Sequence, residues 1–544
     1  MLRRVILLVG VLGILGLGRV WAQDRVAQGD AASDDVVGAA LAPILESWAD
    51  LPAGEVVGRL TRLAQEHPED PRVWNFLGAA HAENGAFERA EESFRTALRL
   101  APGMLEVYLN LGRLYLEWSP SNPTSLERAA EVYRTVLRLD PGNREALFQG
   151  AFVAYLRDDL EEAEALLHQF SPQDREHPRV RLLAAAGACR QGADPNSLAE
   201  DLVRREGWEE ADLLPLIPKL REAGCDRFVA RLLDHLEHLG RLSAETTVDL
   251  ALLHDELGEY EKAVLLLNAV GPRHPDPYQV LLQLAWLAYR HRDFEDALGY
   301  LAHARDLRPE DPRIHLFFGL TCVELNLSVE ALKSLEKALE LAPENPFVQY
   351  AYGATAMHWK EPAEAIPYLE RYCAARPDDA RGRATLAEAY FLNKEYERAR
   401  ELFEGLLAMP DTAVTARFYL GVIARFEHRF EEARRHFEAV LAADPRHAGA
   451  LAELGWLLMR DGRFDEAERA LDRALQLDPE HYQANFNLLT LYSRTKDPRF
   501  AEQRERFERL KEKRWQEYSE SLRTVEVIPP QLFPALERQG RGTP

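Results

Sequence analysis

The 544-residue sequence predicts an all-α solenoid of stacked helical hairpins, on three observations. Apolar residues recur at three- and four-residue steps, the period of one helix face, as in Leu451, Leu454, Leu458 and then Ala467, Leu471, Ala474, Leu475. Prolines close the helical segments at a fixed interval: Pro275, Pro309, Pro343 and Pro377 are evenly spaced, and Pro410, Pro445 and Pro479 continue the series with a slip of a single position. Proline lacks the N–H that a helix interior needs and clashes with the turn before it. Small residues also hold fixed places, with Gly455 on the first helix of a unit and Ala467 and Ala474 on the second. Glycine inside a helix costs roughly 1 kcal/mol relative to alanine. Close approach of two antiparallel backbones is the expected offset.

Within the unit 448–481, Asp461, Gly462 and Arg463 form the turn, with Gly462 able to take the left-handed conformation that ends a helix. Asp465 and Glu466 then fall in the first turn of the second helix, where the helix dipole favours negative charge. The same order of small and large residues returns at Phe318-Gly319 with Ala331, Leu335 and Ala338, and at Leu420-Gly421 with Ala433, Phe437 and Val440. In residue size and order, and in a period of about 34 residues, the chain resembles the tetratricopeptide repeat (TPR) family. The resemblance implies a right-handed superhelix that binds other proteins or peptides in its concave groove.

In chain order, Arg3 and Arg4, the apolar run 5–17 and Val20-Trp21-Ala22 predict a signal peptide over 1–22, and hence export to a periplasmic or secreted location. A flexible leader is expected over 23–36. The N-terminal TPR block, 37–170, opens on a degenerate capping repeat and continues with a strong copy containing Trp74, Leu77, Gly78, Ala90, Phe94 and Ala97. Its next copy, with Leu111-Gly112 and Tyr133, carries a five-residue insertion within 118–125. Over 171–243 the pattern weakens to a divergent TPR-like helical segment, with helices expected near 180–191, 213–223 and 228–239. Worn repeats, a hinge and a partner-specific insert all fit it. The C-terminal TPR block, 244–496, has units beginning near Ala244, Tyr278, Pro312, Pro346, Ala380, Val414, Ala448 and Tyr482. A charged capping helix over 497–524 and a disordered tail over 525–544 follow. Pro367, five positions after Pro362, predicts a late start or a kink in its helix.

Composition fits one repeat body: 47% hydrophobic residues supply a continuous core and 28% charged residues suit solvated faces. The formal net charge of −23 grows more negative once Arg3, Arg4 and Arg19 leave with the signal. Such a field repels phosphate backbones and anionic lipid heads, which argues against nucleic acid or a membrane surface as principal partner. The sequence holds no Gly-rich phosphate loop, nucleophile elbow or H-E-x-x-H motif, so no enzyme activity, cofactor or metal is expected. His235 and His238 share a helix face but fall short of the three or four ligands of a zinc site. Of the four cysteines, Cys322 occupies a core position of its repeat, and Cys189 with Cys225 is the pair to test for a disulfide in an oxidising compartment.

The TPR resemblance implies that the groove is lined by fixed first-helix positions. Transferred to this sequence, they give the candidate partner-binding residues Trp286, Tyr289, Arg290, Arg313, Phe347, Tyr350, Arg381, Phe391, Phe418, Arg425, Trp456, Met459 and Arg460. Aromatic and Arg side chains are the usual anchors of protein interfaces, and Met adds adaptability. The arginines are also expected to make the groove locally positive. The family's grip on a C-terminal carboxylate through Lys and Asn is not supported, because the matching positions hold Leu282, Leu316 and Ala384, and Trp286 and Leu320. The function expected is therefore a non-catalytic scaffold or adaptor that holds a peptide or helix of a partner in a cell-envelope or secreted assembly. The alternative is support of polysaccharide export, or glycan binding, with the same aromatics as sugar platforms.

Overall fold

Each repeat carries two amphipathic segments that fold as a pair of helices joined by a short turn. The computed structural model of the chain describes residues 36–122, 124–205 and 207–516, and among these there is helix and no strand. The expected signal peptide over 1–22, the expected leader up to residue 35, the last part of the expected capping helix, 517–524, and the expected tail over 525–544 lie outside the described residues. Contacts divide the chain into two compact units, Met1–Pro275 and Asp276–Pro544.

The N-terminal unit opens with Val36–Ser47 and Ala53–Glu66, then pairs Pro71–Glu83 with Phe87–Leu100 and Leu105–Trp118 with Ser125–Leu139. The insertion falls in the turn before Ser125 and interrupts no helix. Arg144–Leu156 with Leu160–Leu167 follows, and Ala244–Glu256 with Tyr260–Val270 ends the unit. Between them, 171–243 is built of helices and short turns. Pro178–Arg190 pairs with Pro195–Arg205, a helix the periodicity does not reveal. A broken first helix, Glu210–Leu213 and Ile217–Glu222, precedes Asp226–His238. Trp208, fully buried, donates its indole N–H to the Leu202 carbonyl (3.3 Å).

The C-terminal unit is a run of hairpins: Pro277–Arg290/Phe294–Leu307, Pro312–Glu324/Ser328–Leu341, Pro346–Trp359/Pro362–Ala375, Ala380–Leu392/Tyr396–Leu406, Pro410–Phe426/Phe430–Ala443, Ala448–Arg460/Phe464–Leu477 and Tyr482–Thr495/Phe500–Gln516. Two expectations are corrected. The fifth hairpin begins at Pro410, not near Val414, because Pro410 does not close a unit but occupies the first turn of the next helix, where its missing N–H costs nothing. The helix at Pro362 has no late start: it runs from Pro362 through Pro367 to Ala375. The carbonyl that Pro367 leaves without a donor is that of Ala363. Both residues are exposed, so water can take the place of the lost bond.

The close approach expected within each hairpin is observed. A Cβ added to Gly455 would stand 2.7 Å from Leu471 Cγ and 3.5 Å from the Ala467 carbonyl oxygen, so the second helix already fills that volume. Gly78 meets Phe94, Gly112 meets Tyr133, Gly319 meets Leu335, Gly353 meets Leu369 and Gly421 meets Phe437 in the same way.

From Gly224 onward, every turn between paired helices but one contains a residue of positive φ at a constant register. Gly224, Gly258, Arg292, Asn326, Lys394, His428, Gly462 and Lys496 all fall on one ladder of constant step. Lys360, at the skipped step, is extended. A side chain with a Cβ is strained in this region. Replacing the exposed Lys394 (φ 64°) with glycine is therefore expected to raise stability by roughly 0.5–1 kcal/mol in denaturant unfolding, the net of relieved strain and a freer unfolded chain.

Acid–base balance supplies a second check. Burial, and after it the Glu83 carboxylate, push Glu117 up to about 7 from 4.5, against the pull of Arg113. Glu83 is held in place by the Trp48 indole N–H, which donates to it at 2.7 Å. Between about pH 4.5 and 7 the unfolded chain gives up this proton while the folded chain keeps it, so stability falls as pH rises through that window. The substitution Glu117→Gln is expected to flatten this slope. An unchanged pH profile of unfolding in that variant would contradict the assignment.

Candidate protein-interaction site

In the hairpins from Ala380 to Leu477 aromatic residues lie near the end of each first helix, at Phe391, Phe426 and Trp456, and open each second helix, at Tyr396, Phe430 and Phe464, and the short turns bring several of these rings together across successive hairpins. Phe391, next to the last residue of Ala380–Leu392, lies 5.8 Å from the ring of Tyr396, 5.3 Å from Tyr419 and 6.1 Å from Phe426. Tyr396, the first residue of its helix, stacks on Phe426 with centroids 5.8 Å apart and planes 8° from parallel. The Arg425 guanidinium covers both Phe426 (4.3 Å) and Trp456 (5.2 Å). Trp456 packs against Phe430 at 6.0 Å, and Arg460 lies over that second ring, 3.5 Å from the Phe430 centroid. Phe391, Tyr396, Phe426, Phe430 and Trp456, with Arg425 and Arg460, thus form a continuous strip along the turn ends of three hairpins.

Phe426 is 46% exposed and Arg460 is exposed, while the other rings of the strip are half-buried. An aromatic side chain loses little conformational freedom on binding and presents both an apolar face and, with a stacked guanidinium, a polar edge. Phe418, also half-buried, instead packs inward against Phe437 (6.0 Å) and the His447 ring (4.8 Å).

Three expected contact residues are corrected by burial. Phe347, Tyr350 and Met459 are 7%, 4% and 3% exposed. Arg376 covers the Phe347 ring (4.8 Å), and Tyr350 sits against Tyr372 (4.7 Å) with its hydroxyl 3.2 Å from the Thr385 hydroxyl. These are core residues. Trp286 and Tyr289 remain half-buried beside Phe317, at 6.4 and 5.5 Å, and the Tyr289 hydroxyl donates to Glu324. Arg290 and Arg381 are exposed.

Of the five candidate arginines expected to make the groove locally positive, Arg313, Arg425 and Arg460 lie against acids. Arg425 pairs through Nε with Glu453 at 2.7 Å, and Arg460 lies 3.4 Å from Asp461. Arg313 folds back on Asp311, whose carboxylate also accepts the Arg313 backbone N–H, so this residue belongs to a helix cap. Two acids are carried inside the unit: burial raises Glu388, partly offset by the Tyr419 hydroxyl that donates to it at 2.8 Å, and burial raises Glu453 against the pull of Arg425. The arginines act here as flat covers for rings and as partners of buried carboxylates.

The fold is that of an all-α helical-hairpin repeat protein. More specifically, the chain is a tetratricopeptide-repeat protein. The model of the cytochrome c-type biogenesis protein H TPR domain matches residues 58–192, and two general tetratricopeptide-repeat models match 282–346 and 356–414, 427–484 and 458–504. Proteins of this family are generally non-catalytic scaffolds that bind peptide partners. No curated protein matches the chain. Among solved structures, MamA from Desulfovibrio magneticus RS-1 is similar at 24% identity, over 32% of this chain and 97% of that one, with a TM-score of 0.30. A tetratricopeptide repeat protein from Parabacteroides merdae is similar at 16% identity, over 46% and 98%, with a TM-score of 0.39. The APC/C hetero-tetramer Cut9–Hcn1 is similar at 14% identity, over 84% and 96%, with a TM-score of 0.39.

Tyr396 and Phe430 were not among the sequence candidates, because the groove positions carried over from the family stop within the first helix. Their signal is nonetheless present: aromatic residues open the second helix at Tyr396, Phe430 and Phe464, the same position of three successive repeats. Among the described residues no cluster of three or more His, Cys, Asp or Glu is placed to hold a metal, and no helix is long and apolar enough to cross a membrane.

Proposed function

We propose that this protein is a non-catalytic scaffold of the cell envelope that holds a peptide or helix of a partner protein along the strip Phe391, Tyr396, Phe426, Arg425, Phe430, Trp456 and Arg460. The observation that carries this reading is the continuity of half-exposed rings and stacked guanidinium groups over three hairpins. Successive rings suit alternating apolar side chains of an extended segment or one face of a helix. The pairing of Arg425 with Glu453 favours apolar and backbone contacts over capture of a strongly acidic tail. Envelope placement is supported by the apolar N-terminal run 5–17 and by the match of 58–192 to the TPR domain of a cytochrome c-type biogenesis protein.

The test is capture of partners from the producing cell's envelope fraction by the wild-type protein beside Phe426→Ala/Arg460→Ala, with folding checked by circular dichroism. A protein retained by the wild type and lost by the folded variant supports the reading. Equal retention by both, or recovery of the tagged protein only from the cytoplasmic fraction, contradicts it.

A further inference from the structure

We propose that Cys189 and Cys225 form a disulfide that ties two successive hairpins of the N-terminal unit together. They are the two cysteines of that unit; Cys322 and Cys373 belong to the other. Cys189 is the penultimate residue of Pro178–Arg190, and Cys225 immediately precedes Asp226–His238. Both are buried.

Their meeting is fixed by a framework outside the thiols. Arg190, next to Cys189, donates to the Tyr155 carbonyl at 2.9 Å, lays its guanidinium over the Tyr155 ring at 4.6 Å and pairs with Asp158. From the other side, the Tyr155 hydroxyl donates to the Leu216 carbonyl at 3.3 Å, and Lys219 pairs with the second oxygen of Asp158 at 2.7 Å. The Cys225 N–H then closes on the Leu220 carbonyl at 2.9 Å. Residues 190, 216 and 219 are therefore fastened to one point, Tyr155 and Asp158, and Cys225 follows a short turn later; Cys189 and Cys225 are both free thiols there, and the neighbouring Cys225 adds to burial in raising Cys189. A thiol that merely fills core space needs no second thiol beside it.

The location also suits a covalent tie. In a repeat array each hairpin is held by its neighbours alone. Here the first helix of one hairpin is broken into Glu210–Leu213 and Ile217–Glu222, so the noncovalent hold is least regular where the cysteines meet. The bond forms by thiol–disulfide exchange. One thiolate attacks an external disulfide, carried by a protein or a small molecule, and releases one thiol; the second cysteine then attacks the mixed disulfide and releases the other. The external disulfide leaves as two thiols, which carry the two protons and two electrons of the cysteines. Burial, then the neighbouring Cys225 thiol, push Cys189 up to about 12, so the folded pair is slow to react and closure accompanies folding.

The test is refolding of the full chain, fully reduced, with oxidised glutathione, followed by maleimide labelling in denaturant, peptide mapping and thermal melting. Two of the four thiols are expected to be protected until dithiothreitol is added, with residues 189 and 225 in one linked peptide pair. The oxidised protein is expected to melt several degrees above the reduced protein. Cys189→Ala and Cys225→Ala should each abolish both the link and the reductant-dependent shift. Four reactive thiols after refolding, a link through Cys322 or Cys373, or a link without a thermal shift would overturn the proposal.

Discussion

Changing Gly112 to alanine is expected to destabilise the N-terminal unit by ~1–3 kcal/mol, the range for overpacking a filled core. Helix propensity alone points the other way, since alanine is about 1 kcal/mol better than glycine in a helix interior. Geometry decides between them. The added Cβ would stand 2.5 Å from Cζ of Tyr133, and that ring is fully buried between its own helix and the next hairpin, so it cannot swing clear. The double variant with Tyr133→Ala should lose the penalty of the Gly112 substitution and leave only the propensity gain, a non-additivity measurable in a double-mutant cycle by denaturant unfolding. A neutral or stabilising Gly112→Ala in the wild-type background would break the claim that close helix approach fixes small residues in each repeat.

The second large effect concerns binding. Phe426→Ala with Trp456→Ala is expected to weaken partner affinity by about 2 kcal/mol or more, roughly 30-fold, as for central aromatic anchors. The cost to folding should be clearly smaller than the ~3–5 kcal/mol of truncating a fully buried aromatic, because Phe426 is 46% exposed in the unbound protein. Titration calorimetry with the captured partner, beside thermal melting of the same variants, separates the two. Equal proportional loss of binding and stability would return both residues to the core.

The repeat architecture was legible because every unit solves the same problem. Each hairpin must bury one face against its neighbours, so the Gly455–Leu471 and Gly421–Phe437 contacts write the same residue sizes at the same spacing. Legibility failed where proline changed role: Pro410 opens a helix in place of closing one, and Pro367 sits where solvent tolerates its missing donor. It weakened over 171–243 because the closing prolines lose register there, although Gly192 and Gly224 still mark the turns.

The site was read less well. A helical position says which way a side chain points, but not whether the next hairpin covers it. Phe347, Tyr350 and Met459 are buried, whereas Trp456, from the same candidate set, stays half-buried. The pairing of Arg425 with Glu453 was also hidden, since its partner lies in the next repeat, well beyond the reach of any helical spacing rule.

The most direct test of the central claim is site-specific photocrosslinking in the producing cell, with a photoreactive phenylalanine analogue placed at Phe426 and, separately, at the exposed Val329. A discrete adduct with one partner protein is expected from position 426, lost when Arg460 is changed to alanine, and no such adduct from position 329. An adduct from 329 with none from 426, or no adduct with any protein from the strip, would contradict it.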